Sequence, residues 1–374
     1  MNSNSLLIIA GELSGDVQGG KLVAAIKELS PDIKVTGIGG DNMEAAGMEL
    51  LHHIREMSFL GFSEVLKHLP FIRKIMNELT DWIETNRPET ILLIDYPGFN
   101  LKLAARAKKL GCRVVYYISP QIWAWGGGRI KKIARFVDHM IVVFPFEEEL
   151  YKSAGVKVDF VGHPILEGLN SEFTKEKFFE KHALKLDNSV VGLLPGSRAQ
   201  EVENLYLPML EAVELMKREF PNLQFVTGVS PTLNEDLYKN IEAGLRVEHS
   251  KATYDLMKHA DLLFVASGTA TLESACFGTP MIIVYKVSAI SWLLGKMLIK
   301  LKNIGLVNIV AGKQIVPELL QSEVTAARLA AEGVSLLGDK TLMEETIKKL
   351  LMVKDSLGKM GASKRAAEII VNKD

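Results

Sequence analysis

Leu6-Leu7-Ile8-Ile9-Ala10-Gly11-Glu12-Leu13-Ser14-Gly15-Asp16 carries an uninterrupted apolar run into a turn of glycine, hydroxyl and carboxylate side chains. Five apolar residues in a row, without polar alternation, read as a strand covered on both faces, as strands of parallel sheets do. The next parallel strand has to be reached through a crossover helix, and a helical pattern over 21–29 provides one. The same unit recurs. Strands are predicted over 34–39, 90–95, 113–118 and 139–144, with helices over 64–85, 101–110, 129–135 and 146–153. After Val161-Gly162-His163-Pro164-Ile165 and a charged stretch to residue 188 the pattern restarts. Strands follow over 190–194, 223–229, 246–248, 262–266 and 281–285, with helices over 202–220, 254–260, 271–277 and 288–301. From Glu323 the pattern is helical and ends in an amphipathic stretch over 364–371.

About ten parallel strands exceed the usual size of one sheet. The expected fold class is therefore α/β, with two Rossmann-like doubly wound domains and a helical C-terminus. The expected divisions are 1–165, 166–350 and a final segment, 351–374, that packs back across the domains.

The 374 residues are 48% hydrophobic and 24% charged, which excludes a disordered chain or a disulfide-stapled peptide. Lys and Arg total 44 against 45 Asp and Glu, so no global charge drives the chain toward nucleic acid. Cys112 and Cys276 lie in apolar segments without a second Cys or His at metal-ligand spacing, and read as buried thiols of a reducing compartment. The first residues lack the basic and long apolar regions of a secretory signal. No stretch reaches the ~18 apolar residues of a spanning helix. The expected location is the cytoplasm, with any membrane contact made from its surface.

Ligands of open α/β sheets gather at the carboxyl ends of strands, so the loops that follow strands are the informative ones. After the first strand, Glu12 and Asp16 would repel a pyrophosphate, and the loop is not G-x-G-x-x-G. Its Glu12, Ser14, Gly15 and Asp16 suit sugar hydroxyls, with Asp16 as a helix cap the plain alternative. Asp95 stands at a strand tip, where a carboxylate can act as general base on a hydroxyl or cap the helix beginning near Phe99. Trp123 and Trp125 follow another strand, placed to stack on sugars or acyl chains or to pack beneath Gly126-Gly127-Gly128.

In the second half, Pro195-Gly196-Ser197-Arg198 joins a strand to a helix N-terminus and suits a diphosphate; the alternative is that Arg198 merely pairs with Glu201. Ser267-Gly268-Thr269-Ala270 forms a second anion-compatible turn, with Glu273 one helical turn on, in reach of ribose hydroxyls. No P-loop lysine is present, which disfavours nucleotide hydrolysis. Val65, Leu66, Leu69, Ile72 and Met76 recur at helical spacing. They form either a core stripe or, beside Lys67, Arg73 and Lys74, a face for anionic lipid. A similar mixture occupies 292–302.

Nine segments, taken together and in order, resemble the lipid-A-disaccharide synthase family along nearly the whole chain. They are AGELSGD (10–16), GIGGDNM (37–43), LGFSEVL (60–66), DYPGFN (95–100), YISPQIWAW (117–125), FPFE (144–147), VGHP (161–164), LLPGSR (193–198) and SGTATLE (267–273). Leu13 stands where that family often has Ala, and Leu60 where Met is common. The resemblance implies a GT-B architecture with two domains facing a cleft. It also implies transfer of a 2,3-diacylglucosamine unit from UDP to 2,3-diacylglucosamine 1-phosphate, giving a β-1,6 disaccharide and UDP.

Under that resemblance Asp95 is the base, Arg198 the diphosphate ligand and Glu12 part of the catalytic group. The donor contacts are Gly196, Ser197, Ser267, Gly268, Thr269, Ala270, Glu273 and Asn308, with Gln314 and Glu318 in the same region. Ser14, Gly15, Asp16, Asn100 and Trp123 fall to the acceptor, and Val65, Leu66, Leu69 and Ile72 to lipid. No D-x-D pair is present to hold a metal-bound diphosphate, so metal-independent catalysis without a cofactor is expected. The expected partners are the two acylated sugars and the inner face of the cytoplasmic membrane; a homodimer stays open and nucleic acid is excluded. The competing readings are a UDP-N-acetylglucosamine epimerase or other glycosyltransferase of the same architecture, and a non-catalytic lipid-binding module. A nicotinamide oxidoreductase is disfavoured because G-x-G-x-x-G is missing.

Overall fold

The computed structural model describes residues 5–56, 69–123, 128–288, 292 and 302–372. The chain divides into two compact units, 1–167 with 357–374, and 168–356. In the first unit the order is β1 (Ser5–Ala10), α1 (Leu13–Leu29), β2 (Lys34–Gly39), α2 (Asp41–Ala45), β3 (Glu49–His53), α3 (Leu69–Asn86), β4 (Thr90–Ile94), α4 (Pro97–Lys109), β5 (Arg113–Tyr117), α5 (Arg129–Phe136), β6 (His139–Val142), α6 (Pro145–Ser153) and β7 (Val158–Phe160). The second unit runs through α7 (Lys175–Lys181), β8 (Val190–Leu194), α8 (Ala199–Met216), β9 (Gln224–Gly228), α9 (Glu235–Glu242), β10 (Glu248–Ser250), α10 (Thr253–His259), β11 (Leu262–Ala266) and α11 (Thr269–Phe277). It continues through β12 (Met281–Tyr285), α12 (Leu306–Val310), β13 (Glu318–Leu320), α13 (Ala326–Gly338) and α14 (Lys340–Ser356). The last helix, α15 (Ala362–Asn372), returns to the first unit and packs along α1.

Both sheets are parallel throughout. The first has the order β3-β2-β1-β4-β5-β6-β7 and the second β10-β9-β8-β11-β12-β13. Strand order therefore reverses between β1 and β4 in one unit and between β8 and β11 in the other. Those two crevices are where doubly wound sheets bind ligands. The central strands β1, β4, β8 and β11 are buried nearly end to end, which is why they read as unbroken apolar runs. Each sheet has its own apolar core: Leu7, Ile9, Ile91 and Leu93 belong to the first, Val191, Leu193, Leu262 and Phe264 to the second.

Several elements differ from the sequence expectation. Helix α1 begins at Leu13 rather than residue 21, because its glycines serve packing and not a loop. A Cβ on Gly19 would lie 2.6 Å from Sδ of Met43, and one on Gly20 would lie 2.9 Å from the Asn42 carbonyl oxygen. The short edge strands β3, β7 and β13 carry too few apolar residues to be read from pattern. The expected helix over 64–85 is seen from Leu69, and its earlier part lies outside the described residues, as do Val65, Leu66 and Trp125. Of the expected helix over 288–301 only residues 288 and 292 are described. Cys112 and Cys276 are free and buried. Among the described residues no helix is long and apolar enough to cross a membrane.

Candidate active site

The carboxyl ends of β1 and β4 are adjacent, with Ala10 paired to Ile94 in register. That pairing brings Glu12, at the start of α1, beside Asp95, at the end of β4. Asp95 and Tyr96 are consecutive non-glycine residues in the left-handed region, with φ of 44° and 46°. Such backbone persists only where its surroundings enforce it, and here they do. Asn100 donates from Nδ2 to the carbonyls of Ile94 at 3.1 Å and Asp95 at 2.8 Å. The Tyr116 hydroxyl donates to the same Asp95 carbonyl. Pro97 opens α4 at its first turn, and the Tyr96 ring lies over Gly11, where a Cβ would meet Cδ1 at 2.2 Å.

Asp95 itself is half-buried. Its pKa is pushed up to about 6, chiefly by burial and then by the Glu12 charge, with the Tyr96 N–H opposing. A carboxylate so raised remains ionised at neutral pH and is a better proton acceptor than one in water.

Two residues expected on the acceptor side are engaged by the protein's own backbone. Asp16 is 1% exposed and all four of its acceptor positions are filled. Oδ1 takes the N–H groups of Gly40 (2.6 Å) and Met43 (3.1 Å), while Oδ2 takes the N–H (3.1 Å) and Nδ2 (2.7 Å) of Asn42. It caps α2 and has nothing left for a sugar. Asn100 is fully buried and holds the turn under Asp95, so it positions rather than contacts.

Ser14 is exposed, and Gly15 is buried against Ala10. Trp123 is half-buried, edge-on to Phe144 and Phe146, and its Nε1 donates to Glu147 at 3.0 Å. Ser119 donates to the same oxygen, and burial lifts Glu147 to about 7. Leu69 is half-buried, whereas Ile72 packs on the core.

In the second unit the turns after β8 and β11 share a cavity of about 350 Å³. Gly196, Ser197, Arg198, Ser267, Gly268, Thr269, Ala270 and Glu273 all line it. The first turn of α11 faces it, and helix N-termini favour anions. Glu273 accepts from the Tyr254 hydroxyl at 3.1 Å, and burial raises its pKa. Arg198 is 78% exposed and donates from Nη1 to Glu201 at 3.1 Å. Ser230 and Pro231, which follow β9, and Thr253 and Met257, on α10, also line the cavity; no glycine-rich or charged motif marks them in the sequence.

Asn308, expected among the donor contacts, is buried in the second unit. Its amide is fully engaged, with Nδ2 donating to Val316 O (3.0 Å) and Glu318 Oε1 (2.7 Å) and Oδ1 accepting from Ile315 N (2.7 Å) and Val316 N (3.1 Å). Glu318 in turn accepts from the N–H groups of Ile304 and Gly305. The pair knots the chain locally, and Gln314 lines a different depression beside Leu342 and Thr346. Among the described residues no group of three His, Cys, Asp or Glu side chains could hold a metal ion.

Two doubly wound parallel units in one chain, with a carboxylate pair at one switch point and an anion-compatible cavity at the other, define the GT-B class of nucleotide-sugar enzymes. Solved structures share this fold. UDP-GlcNAc 2-epimerase from Neisseria meningitidis, bound to UDP-GlcNAc, matches with a TM-score of 0.62 at 14% identity over 98% of this chain and 100% of that one. The calicheamicin glycosyltransferase matches with a TM-score of 0.62 at 14% identity over 100% and 98%. The chain belongs to the lipid-A-disaccharide synthetase family, which matches residues 6–371. Lipid-A-disaccharide synthase of Syntrophus aciditrophicus is 44% identical over 98% of this chain and 97% of its own, and that of Geobacter metallireducens 43% over 98% and 96%.

Proposed function

We propose that this chain joins UDP-2,3-diacylglucosamine to 2,3-diacylglucosamine 1-phosphate, forming the β-1,6-linked disaccharide 1-phosphate and UDP. The reaction is one in-line displacement. Asp95 takes the proton of the acceptor 6-hydroxyl as that oxygen bonds to the anomeric carbon. The bond from that carbon to UDP breaks, and its electron pair leaves with the diphosphate. Arg198 and the N-terminus of α11 neutralise the leaving group, the work a metal ion does elsewhere. Glu12 keeps Asp95 basic, Glu273 takes the ribose hydroxyls, and Ser14 lies on the acceptor side.

The observation that carries this reading is the held, half-buried Asp95 with its raised pKa beside Glu12 at a switch point. Its test is UDP release by the full chain. Release should require both acylated donor and acylated acceptor, and D95N should lower it by about 10²–10⁴ while retaining UDP affinity. Hydrolysis or epimerisation of unacylated UDP-N-acetylglucosamine would favour the epimerase reading instead. Family membership favours the transferase, because the likeness to epimerases is one of fold at 14% identity.

Both substrates carry acyl chains, and the working place that suits them is the inner face of the cytoplasmic membrane. Peripheral contact through the start of α3 is supported by half-buried Leu69 beside exposed Arg73 and Lys74. Serine at Val65, Leu66 and Leu69 should lower flotation with anionic vesicles without lowering the melting temperature; unchanged flotation would return these residues to a packing role.

A further inference from the structure

The turn after β8 suits a diphosphate in sequence, with an Arg198–Glu201 pair as the alternative, and in the structure Glu201 takes both the turn N–H groups and the guanidinium. Glu201 Oε2 accepts from the N–H of Ser197 at 3.0 Å and of Arg198 at 3.3 Å, and Oε1 accepts from Arg198 Nη1 at 3.1 Å. Gly196, at φ 125°, leaves room for this carboxylate: a Cβ there would lie 2.4 Å from Oε2. Glu201 is the third residue of α8, where a carboxylate also meets the positive end of the helix. The carboxylate is thus seated much as a phosphate oxygen would be.

The three bonds are not equal. Two go to backbone N–H groups that stay in place whatever the guanidinium does, so Glu201 remains satisfied when Arg198 leaves. The third is an ion pair whose arginine side chain is 78% exposed, and exposed pairs of this kind are weak and exchangeable. A diphosphate offers the guanidinium more charge and a bidentate seat. Arg198 and Glu201 also line a second cavity of about 140 Å³ that shares Ala266 and Ser267 with the larger one. The pair therefore stands between two spaces, either of which admits the swing of the guanidinium.

We propose that Glu201 is a positioning residue that competes with the donor diphosphate for Arg198, yielding the guanidinium when donor binds and reclaiming it when UDP leaves. This rests on the reading of Arg198 as the diphosphate ligand. No bond is made or broken; the exchange is of one ion pair for another. A carboxylate that only capped α8 would have no effect on nucleotide affinity once its cap was preserved. E201Q makes that distinction, because an amide oxygen still accepts from Ser197 and Arg198 while the charge is gone.

The test is calorimetric titration of the full chain with UDP, together with steady-state rates, for wild type, E201Q, R198Q and the double variant. E201Q should bind UDP roughly two- to fivefold more tightly, the range an exposed ion pair supplies. Its donor KM should fall, and kcat should fall with it as UDP is held longer. R198Q should bind UDP more weakly, and adding E201Q to it should bring no gain. If E201Q binds UDP with unchanged or lower affinity while R198Q is impaired, the exchange is refuted and Glu201 is a cap. If R198Q itself binds UDP normally, the reading of Arg198 fails, and this inference with it. Should E201Q not fold, E201A is read in its place: it too removes the competing charge, and its gain in UDP affinity must vanish in the R198Q background, which separates the freed guanidinium from the freed N–H groups.

Discussion

Asp95 holds two properties that a stable protein would avoid: left-handed backbone and a half-buried carboxylate whose pKa is pushed up to about 6 against an ordinary 3.8. Both have measurable consequences. In the proposed role of Asp95 as base the carboxylate must be ionised, so kcat/KM for the acceptor should fall with unit slope below about pH 6. Glu12 is the second cause of the shift. E12Q should therefore carry that limb to lower pH, though short of 3.8, because burial remains; a limb that stays put would detach Glu12 from the site. The stability consequence has the opposite sense from an ordinary salt-bridged carboxylate. A folded pKa above the unfolded one means the folded state favours the proton. The contribution of Asp95 to stability is then highest below about pH 4, falls as pH rises toward 6 and stays level above. D95N removes the charge and keeps a residue tolerant of left-handed backbone. It should be slowed by about 10²–10⁴ and yet be more stable at pH 7, by up to about 3 kcal/mol at the conversion of 1.36 kcal/mol per pKa unit. Urea unfolding at pH 4 and pH 7 reads this directly: a D95N gain at pH 4 equal to that at pH 7 would contradict it.

At the level of elements, α2 exists because a residue of α1 caps it. Asp16 supplies acceptors to Gly40, Asn42 and Met43, and α2 is only five residues long, too short to persist on propensity. D16A would orphan three backbone N–H groups and should destabilise the first unit by about 3 kcal/mol, seen as a lower urea midpoint, while leaving UDP affinity intact. A D16A protein as stable as wild type would mean the cap contributes nothing. This cap also shows where sequence reading stops. The apolar runs of β1, β4, β8 and β11, and the loops after them, were legible because burial on both faces leaves no polar residue in the strand. The first turns of α1 were not, since Gly15, Gly19 and Gly20 look like a loop until Met43 and Asn42 are seen against them. Asp16, Asn100 and Asn308 stand out in the sequence as candidate ligand contacts, and in the fold each holds backbone of its own unit. Buried polar side chains that tie backbone together and those that touch a ligand look alike until their partners are in view.

For the whole molecule, the consequence is that stability and ligand response should be separable by unit. Each unit has its own apolar core and its own parallel sheet. The first is completed from the far end of the chain: α15 packs along α1, and Arg113 donates to the carbonyls of Ile370 (3.2 Å) and Ile369 (3.4 Å). Ser363 meets Glu167 through both its N–H (2.9 Å) and its hydroxyl (2.7 Å). Of the described tryptophans Trp82 and Trp123 lie in the first unit and Trp292 in the second, so tryptophan emission reports mainly the first, whereas far-ultraviolet circular dichroism reports both. Heating should give two transitions. UDP at a hundredfold excess over its Kd should stabilise the second unit by about 2.7 kcal/mol, moving the dichroism transition that emission does not see. Ending the chain at Ser356 should do the reverse, lowering the emission transition and leaving the UDP-dependent one in place. One joint transition that UDP shifts as a whole, or loss of UDP binding on truncation, would show instead that the two cores melt as one.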